Sequence, residues 1–536
     1  MTAPEAKAAP PPPQAVHSPI STNPYLGILG VFLGAGTATL NSRLVSVGLP
    51  DLRGALGFGF DEASWIPTAL NMATMFSGVF VCFLSVLFGP RRILLPAAAV
   101  FTVASVLLPF APGYWPMLAL VVIAGLTSGT FYSLTMTFVL TALPKRLIIF
   151  GIAAYAADIV FVSNIASLLQ GWYIEHLSWR WIFWTAAVVT PLMMTCVYFG
   201  IPQRPVAALR PSWRGFAYFS VGLALIYGAL DQGERLYWLN SGVIVGMFAA
   251  GIFLLGAALV RRLVQPNPTL NLSFLNRRNT IIFALSIFVF KFSHLATIVL
   301  IPGFLGNIPQ YRPLETGQAL AWVAVPMFAV VWMVAVMVIY TNSRLILTLG
   351  LTLAAVGCWI CAHLDTSWAG TSFETIELLL ATGFAATYVG LVGNIVLEGL
   401  EAGALTSAAN AATFSGLMHF IRIFGGQVGV AVMTRFITVR EEFHSNLLGL
   451  NVQAGSWLTD ERLRMLTGGM LPGSTGLEEA QNRAVGILGQ QVRAQAYTLA
   501  TADGFVLIGW MVVAYLMLML LLRSPKFSYM DLRKMK

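Results

Sequence analysis

Ionisable side chains interrupt stretches of this sequence that are otherwise apolar. If such a stretch lies in a bilayer, a guanidinium at its centre costs from a few to about 15 kcal/mol. Each charged group there therefore needs a partner, water or a ligand. The residues concerned are Asp158, the pair Lys291 and His294, the pair His419 and Arg422, and Arg43 with Asn41 in "TATLNSRLVSVGLPDL".

Asp158 is the only carboxylate that we place in the middle of an apolar stretch. A carboxylate that alternates between a desolvated and a paired environment can bind and release a proton. Asp158 is therefore the candidate for proton coupling. Two alternatives remain open: a static ion pair with Lys291 or Arg43 that fixes helix packing, and direct contact with a substrate.

Lys291 and His294 are three residues apart, so they share one face of a helix. Together they form a cationic patch, which favours a substrate with an anionic group, such as an aromatic acid, a siderophore or an amphiphile. The alternative is that Lys291 pairs with Asp158 and leaves a neutral site for hydrophobic cations or neutral compounds.

Arg43 has two interpretations. Its side chain can reach the outer interface, because Pro50 lies about 10 Å further along a helix. It can also face a cavity and attract an anion. The residues that we take as substrate-binding candidates are Arg43, Lys291, His294, Asn41, Asn164 and Tyr155.

The composition indicates the elements that must hold these groups. The chain has 536 residues, of which 57% are hydrophobic and only 10% charged, too few to coat soluble domains. We count fourteen apolar windows of about twenty residues, the length that crosses a bilayer as a helix. The sequence predicts an all-α membrane protein with fourteen spans.

Motifs of enzymes and metal sites are missing from the sequence. It contains no P-loop, no HExxH and no nucleophile elbow, so we predict no enzyme, no catalytic residue and no cofactor. All four cysteines lie in apolar stretches. Cys358 and Cys361 have the CxxC spacing, but we interpret them as packing residues, not as a metal or redox site.

The basic residues indicate the orientation. The formal charge is +9, and most of it lies on alternate loops and the C-terminal tail. By the positive-inside rule both termini are cytoplasmic, which we interpret as a multi-pass protein of a bacterial inner membrane. The charge therefore does not indicate a nucleic-acid partner. The loop and tail residues concerned are Arg91, Arg92, Lys145, Arg146, Arg204, Arg210, Arg214, Arg261, Arg262, Arg277, Arg278, Arg344, Arg523, Lys526, Arg533, Lys534 and Lys536.

Breaks between the spans divide the chain into groups of six, two and six. Transporters often pair two six-span halves around a site near the midplane of the membrane. The loop 441–500 on the outer side is predicted to cap the pore mouth or, alternatively, to bind a periplasmic partner. The predicted segments are a disordered tail 1–24, an N-terminal bundle 25–201, two extra helices with linkers 202–278, a C-terminal bundle 279–523 and a tail 524–536.

Four segments together resemble a known family: "LNSRLVSVGLP", "WIPTALNM", "SWRWIFW" and "FSGLMHFIRIFGGQVGVAV". They are similar to the first, second, sixth and thirteenth spans of the fourteen-span drug:proton antiporters of the major facilitator superfamily, the EmrB/QacA-like branch. The resemblance implies two six-helix bundles with two additional central helices, and export of small molecules across the bilayer. It also suggests a periplasmic membrane-fusion adaptor and an outer-membrane channel as partners.

The functional motifs of that family are eroded here. Asn41 stands where the family has its first-span Asp, and Val121 stands where it has an Arg ahead of Gly125. The loop after the second span keeps Gly89, Arg91 and Arg92, with Cys82, Val86 and Leu87 at the other motif positions, and Ala166 and Ser167 replace the Gly-Pro of the fifth span. These departures weaken the expectation of drug:proton antiport and leave transport intact.

Five residues are candidates for structure or gating. Arg422 matches the family pattern and is expected to bond backbone carbonyls or the region of the fourth span. His419, one turn earlier, is expected to be a satisfied core histidine, with a proton relay as the alternative. The full set is Arg422, His419, Arg91, Arg92 and Gly125.

The prediction from sequence is a secondary active transporter. It is expected to export an amphiphilic small molecule by alternating access, with an anion favoured and with Asp158 as the carrier if protons are coupled. The alternatives are an importer or uniporter of an organic anion or siderophore, and a receptor-like member that moves no substrate.

Overall fold

The computed structural model describes residues 23–141, 143–202, 213–264, 278–401, 408–521 and 529–530. All regular elements in these ranges are helical. Most of the two predicted tails and of the linkers on either side of the extra helices lies outside the described residues.

The first eight helices form the N-terminal part of the molecule, and two more follow. We call α1–α8 the N-terminal helices and α9–α10 the extra pair. Their bounds are α1 Pro24–Val47, α2 Leu49–Leu56, α3 Phe60–Phe88, α4 Pro90–Leu107, α5 Tyr114–Thr141, α6 Ile148–Ala157, α7 Ser163–His176, α8 Trp181–Gly200, α9 Trp213–Gln232 and α10 Gly242–Val264.

The remaining eight helices are called the C-terminal helices. Their bounds are α11 Arg278–Leu295, α12 Ile301–Asn307, α13 Pro313–Tyr340, α14 Ser343–Cys361, α15 Gly370–Glu401, α16 Ala408–Gly449, α17 Trp457–Met470 and α18 Leu477–Met519.

The composition implies a lipid environment, and this environment explains why the chain is helical. A bilayer core offers no water to backbone groups, so an apolar chain satisfies them within helices. Among the described residues, thirteen helices are long and apolar enough to span a membrane. The predicted seventh span is the helix α9, but α9 is not among those thirteen, so the count of fourteen stays a prediction.

Two spans contain a π-helical turn. Asp158–Val162 joins α6 to α7, and Ala296–Leu300 joins α11 to α12. A π turn inserts one extra residue into the helix. The insertion frees backbone groups and changes the direction of the side chains that follow. Such turns often occur at functional sites. Asp158 begins the first turn, and His294 lies two residues before the second. Both turns therefore occur beside residues that the sequence singles out.

The N-terminal and C-terminal helices meet along α7 with α13 and along α3 with α16. At the first contact Gly317 of α13 lies against the backbone of Leu168, and Gly171 of α7 lies against the backbone of Leu314. A side chain larger than glycine has no room there. The helix α9 packs against both α3 and α16, so the extra pair joins the two groups of helices instead of standing apart.

The helices α16 and α18 are much longer than a bilayer is thick. They have 42 and 43 residues, which corresponds to more than about 60 Å each. The predicted loop 441–500 is therefore mostly helical, formed by the ends of these two helices with α17 packed on α18. Asp503 of α18 holds them together, because it pairs with Arg440 at 2.6 Å and with His444 at 2.7 Å.

Candidate functional site

Asp158 lies between the N-terminal helices and is fully buried. The Thr39 hydroxyl of α1 donates a hydrogen bond to its Oδ2 at 3.1 Å, whereas its Oδ1 has no hydrogen-bond partner. The helix α1 packs closely on this carboxylate at Gly36, where a Cβ would stand 3.4 Å from Oδ1. One of its two oxygens therefore lacks a hydrogen bond of acceptable geometry among the described residues, although the Tyr132 hydroxyl also acts on this carboxylate.

The ion pair expected as one alternative for Asp158 is not formed. Within the described residues, no nitrogen of Lys291 or Arg43 lies within 4.0 Å of its oxygens. The charges of Arg422 and Lys291 act on Asp158 from further away. A static contact pair therefore does not account for this buried acid, and its role in proton coupling stays a prediction.

Arg422 of α16 reaches across to the N-terminal helices. Its guanidinium carbon lies 3.4 Å from the ring centre of Tyr132 on α5 and 5.7 Å from that of Tyr155 on α6. Its Nε is buried without a hydrogen-bond partner. The cation is therefore held by aromatic faces of the fourth and fifth spans, an arrangement worth about 2 kcal/mol or more when desolvated.

Aromatic rings continue from Tyr155 into the C-terminal helices. Tyr132 and Tyr155 lie 6.0 Å apart, Tyr155 and Tyr388 of α15 lie 6.5 Å apart, and Tyr388 lies 4.9 Å from Phe290 of α11. Phe290 in turn stacks on His294 at 5.9 Å. We call this set the central cluster; its members are Thr39, Tyr132, Tyr155, Asp158, Phe290, Lys291, His294, Tyr388 and Arg422.

Lys291 and His294 belong to the same cluster but contact different helices. The Lys291 stem packs over Gly426 of α16, with Cδ 3.9 Å from where a Cβ would stand. The His294 ring lies 5.4 Å from Phe384 of α15, and neither of its nitrogens has a hydrogen-bond partner. Lys291 and His294 therefore share a region in which neither is paired with an acid.

Arg43 extends this basic region from the side of α1. Its charge acts on Lys291 and His294 and on Tyr227 of α9, and its Nε is buried without a hydrogen-bond partner. This placement favours the cavity-facing interpretation of Arg43, which stays a prediction. Asn41, two residues earlier, is buried with an unpaired Oδ1. Both residues thus contribute unpaired polar groups between α1 and the helices around it.

Comparison with known proteins shows what family this architecture belongs to. The sequence profile of the Major Facilitator Superfamily matches residues 31–421. The chain belongs to the major facilitator superfamily. The family predicted from four short segments is thereby confirmed, and its members are transporters.

Curated relatives of this transporter cover nearly its whole length at low identity. The multidrug export protein EmrB of Haemophilus influenzae is 22% identical over 89% of this chain and 91% of its own. The fatty acid resistance protein FarB of Neisseria gonorrhoeae is 22% identical over 93% and 96%, and the colistin resistance protein EmrB of Acinetobacter baumannii is 24% identical over 88% and 91%.

Solved structures share the fold. The proton:xylose symporter XylE superposes with a TM-score of 0.55 at 12% identity, over 95% of this chain and 98% of the symporter. The human organic anion transporter MFSD10 gives 0.52 at 13% identity, over 92% and 100%. At such identities these structures establish the architecture alone.

The gating candidates of this transporter occupy three different environments. Arg91 donates to the carbonyl of Ile201 at 3.3 Å and lies 4.4 Å from the ring centre of Tyr198, so it joins α4 to the end of α8. Arg92 is exposed, and Gly125 provides close packing of α5 on the backbone of α3. Arg91 thus contacts the N-terminal helices only.

His419 and Asn164 differ in how their polar atoms are paired. His419 is buried on α16 against Gly78 of α3, with its ring 6.1 Å from that of Tyr132. Neither ring nitrogen forms a hydrogen bond of acceptable geometry among the described residues, although the backbone of Thr74 acts on the ring, so the satisfied core histidine stays a prediction. Asn164 donates to the carbonyl of Val160 at 2.8 Å, which ties it to the π turn of its own span.

Sequence reasoning missed two buried carboxylates of α15, Glu377 and Glu398, of which Glu377 is the more deeply buried. Glu377 of α15 is fully buried and neither of its oxygens has a hydrogen-bond partner. Asp158 is therefore not the only acid inside a span. The sequence signal was available, since Glu377 is followed by the apolar run Leu378–Ala381, but its position close to a predicted span end favoured an interface location.

Proposed function

We propose that this transporter exports amphiphilic organic anions from the cytoplasm across the bacterial inner membrane, by alternating access around the central cluster, with Asp158 as the proton carrier. The observation that carries the proposal is the basic region formed by Arg43, Lys291 and His294. Within the described residues none of the three forms an ion pair, and all three lie deep among the helices.

The basic region supports an anionic cargo for an electrostatic reason. Like charges gathered in a poorly solvated site repel one another, and a bound anion relieves that repulsion. The wall beside them is aromatic, with Phe290 and Tyr388 in contact at 4.9 Å. An anionic head group with an apolar body fits both features. One relative is named for resistance to fatty acids, which are molecules of this kind, and this supports the same class.

Asp158 supports proton coupling by its position. It lies where α1 meets the π turn, with one oxygen bonded to Thr39 and one unpaired, and the charge of Arg422 from the C-terminal helices acts on it. Movement of α16 relative to the N-terminal helices would change that interaction. A buried acid whose charge partner moves during the cycle can bind a proton in one state and release it in the other.

The orientation and the partners are part of the same proposal. The basic loops support cytoplasmic termini, and the long ends of α16 and α18 then project into the periplasm. We include a periplasmic membrane-fusion adaptor and an outer-membrane channel as partners, because the projection gives an adaptor a helical surface to contact.

The test uses two ions of equal chain length. Purified protein in proteoliposomes is given decanesulfonate, which does not cross a bilayer as a neutral acid, or decyltrimethylammonium. We expect sulfonate flux that a pH gradient drives and that excess ammonium compound does not inhibit. Inhibition by the cation, without transport of the anion, would contradict the anionic class.

Two further outcomes address the alternatives. Flux toward the cytoplasmic side, or flux without a pH gradient, would indicate the importer or uniporter. The absence of flux for either ion, in protein that binds decanesulfonate, would indicate a receptor-like member. A Lys291→Gln variant should raise the sulfonate concentration needed for half-maximal flux about tenfold, because an attracting charge beside Arg43 is lost.

A further inference from the structure

Among the described acids, Glu377 is buried with neither carboxylate oxygen paired. It lies two turns from the outer end of α15. The charged side chain that acts on it is Glu374, which repels a second negative charge. The Cys361 thiol of α14 also interacts with it, and no basic group of α11, α13 or α14 does so in the described part of the chain.

The apolar surroundings of Glu377 determine its protonation state. The neighbours of Glu377 along α15 include the fully buried Phe373 and Leu380. An ionised carboxylate without a partner is far more costly in such a place than a neutral acid. Glu377 is therefore expected to carry its proton in this state.

A structural role does not explain the residue. It contributes no hydrogen bond and no ion pair, and methionine would fill the same volume without burying polar atoms. What a carboxyl group offers that methionine does not is the ability to bind and release a proton.

The position of Glu377 connects it to both the outer solution and the centre. Glu374 is one turn closer to the outer end, on the same face, and is partly exposed. In the other direction, Phe384 and Tyr388 continue that face, seven and eleven residues on. Phe384 contacts His294 at 5.4 Å, so the face that carries Glu377 ends at the central cluster.

We propose that Glu377 is a second proton-binding site of this transporter, in the C-terminal helices, which exchanges its proton with the outer solution past Glu374. The site would be separate from Asp158, which lies on the N-terminal side of the cluster. Proton binding at Glu377 is expected in the purified protein without cargo. The contribution of Glu377 to transport, by contrast, rests on the proposed function.

Infrared spectroscopy of the purified protein tests proton binding directly. A neutral carboxyl group in an apolar site gives a C=O stretching band that shifts in heavy water. We expect Glu377→Gln to remove one such band, and Glu374→Gln to slow its exchange in heavy water. Glu315→Gln is the matched control, since Glu315 is an exposed acid at the outer end of α13 and its loss should leave the band unchanged. The Asp158→Asn variant identifies any carboxyl band that comes from Asp158 and not from Glu377.

A second variant shows whether a loss of the band reflects misfolding. Glu377→Met removes the buried polar atoms, and its unfolding temperature should equal or exceed that of the parent protein. A clear fall in that temperature, or an acid band that persists in Glu377→Gln, would overturn the proposal.

Transport measurements separately test whether Glu377 contributes to proton coupling. With decanesulfonate as cargo, Glu377→Gln should keep exchange between equal concentrations on both sides and lose several-fold in the response of flux to outer pH. An unchanged pH response together with loss of the infrared band would restrict Glu377 to a proton site without a part in coupling, which contradicts that part of the proposal. Absence of flux in the parent protein would contradict the proposed function and leave the infrared result valid.

Discussion

Two polar regions of the molecule satisfy their buried groups to different degrees. On the side that the basic loops predict to face outward, Asp231 of α9 accepts hydrogen bonds from Thr68 of α3 and, at 2.8 Å, from Gln427 of α16. Its neighbour Gln232 donates to Thr68 and to the carbonyl of Ser64. We call these residues the outer network. In the central cluster, by contrast, Asp158 and His294 retain polar atoms without partners.

This difference indicates that the outer network holds helices together, whereas the central cluster is expected to bind ligands. Paired polar groups stabilise one arrangement of helices, because breaking them exposes unsatisfied donors and acceptors. Unpaired groups are costly until a proton, water or ligand reaches them. The outer network therefore fixes the arrangement that we observe, and the central cluster is where cargo and protons are expected to bind.

The outer network also shows what the extra pair does in this state. Through Asp231 and Gln232, α9 forms three hydrogen bonds with Ser64 and Thr68 of α3 and one with α16. If the outer side opens by separation of α3 from α16, the bond to Gln427 should break, and those to Ser64 and Thr68 should remain.

The largest effect is expected from locking that contact. Crosslinking Asp231→Cys to Gln427→Cys with a short reducible bis-thiol reagent should abolish both gradient-driven flux and exchange, with recovery on reduction, because the outer side is then prevented from opening. The matched control is the same crosslink between Thr68→Cys and Gln232→Cys, which joins α3 and α9 and should leave most of the flux. The reverse pattern would show that the extra pair moves with the C-terminal helices.

The next effect concerns the central cluster. Asp158→Asn should abolish flux driven by a pH gradient, because the amide binds no proton in this range, while exchange of cargo between equal concentrations continues. The measurement is gradient-driven flux against exchange in the same vesicles. Full gradient-driven flux in this variant would exclude Asp158 as the proton carrier.

A smaller effect is expected at the contact of Arg422 with Tyr132. Tyr132→Leu removes the aromatic face and should lower the free energy of unfolding by about 2 kcal/mol, whereas Tyr132→Phe keeps the ring and should cost less than about 1 kcal/mol. Thermal unfolding in detergent measures both. Equal losses would show that the hydroxyl, and not the ring, holds Arg422.

The smallest effect should come from the rim of the outer network. Asp61 pairs with Arg235, but its side chain is 85% exposed. Asp61→Asn should therefore change stability by less than about 1 kcal/mol and leave flux unchanged, since exposed ion pairs contribute little. A large loss would mean that the rim, and not Asp231, holds the outer side closed.

Much of the fold was predictable because the membrane restricts the choices. Apolar length predicts the spans, and short segments such as "SWRWIFW" carry enough information to indicate the family, which the profile match confirms. The sequence also indicated Asp158, Lys291 and Arg422, since an ionisable residue in an apolar stretch is conspicuous by type alone.

The contacts of the site were not predictable to the same extent. The pairing of Arg422 with Tyr132 links α16 to α5, and the part of Tyr388 in the cluster depends on the approach of α15 to α6. Glu377 was overlooked because its burial depends on the helices that pack around the outer end of α15. Hydropathy does not report such contacts between residues that are distant in sequence.

The sequence by itself determined that this protein is an all-helical membrane transporter and indicated most of the ionisable residues inside its spans, because the energy of burying a polar group depends on residue type. Only the tertiary structure decided which of those charges find partners. That depends on the distance and direction between side chains on different helices: Asp231 lies within reach of a hydroxyl and an amide, whereas Glu377 lies within reach of neither.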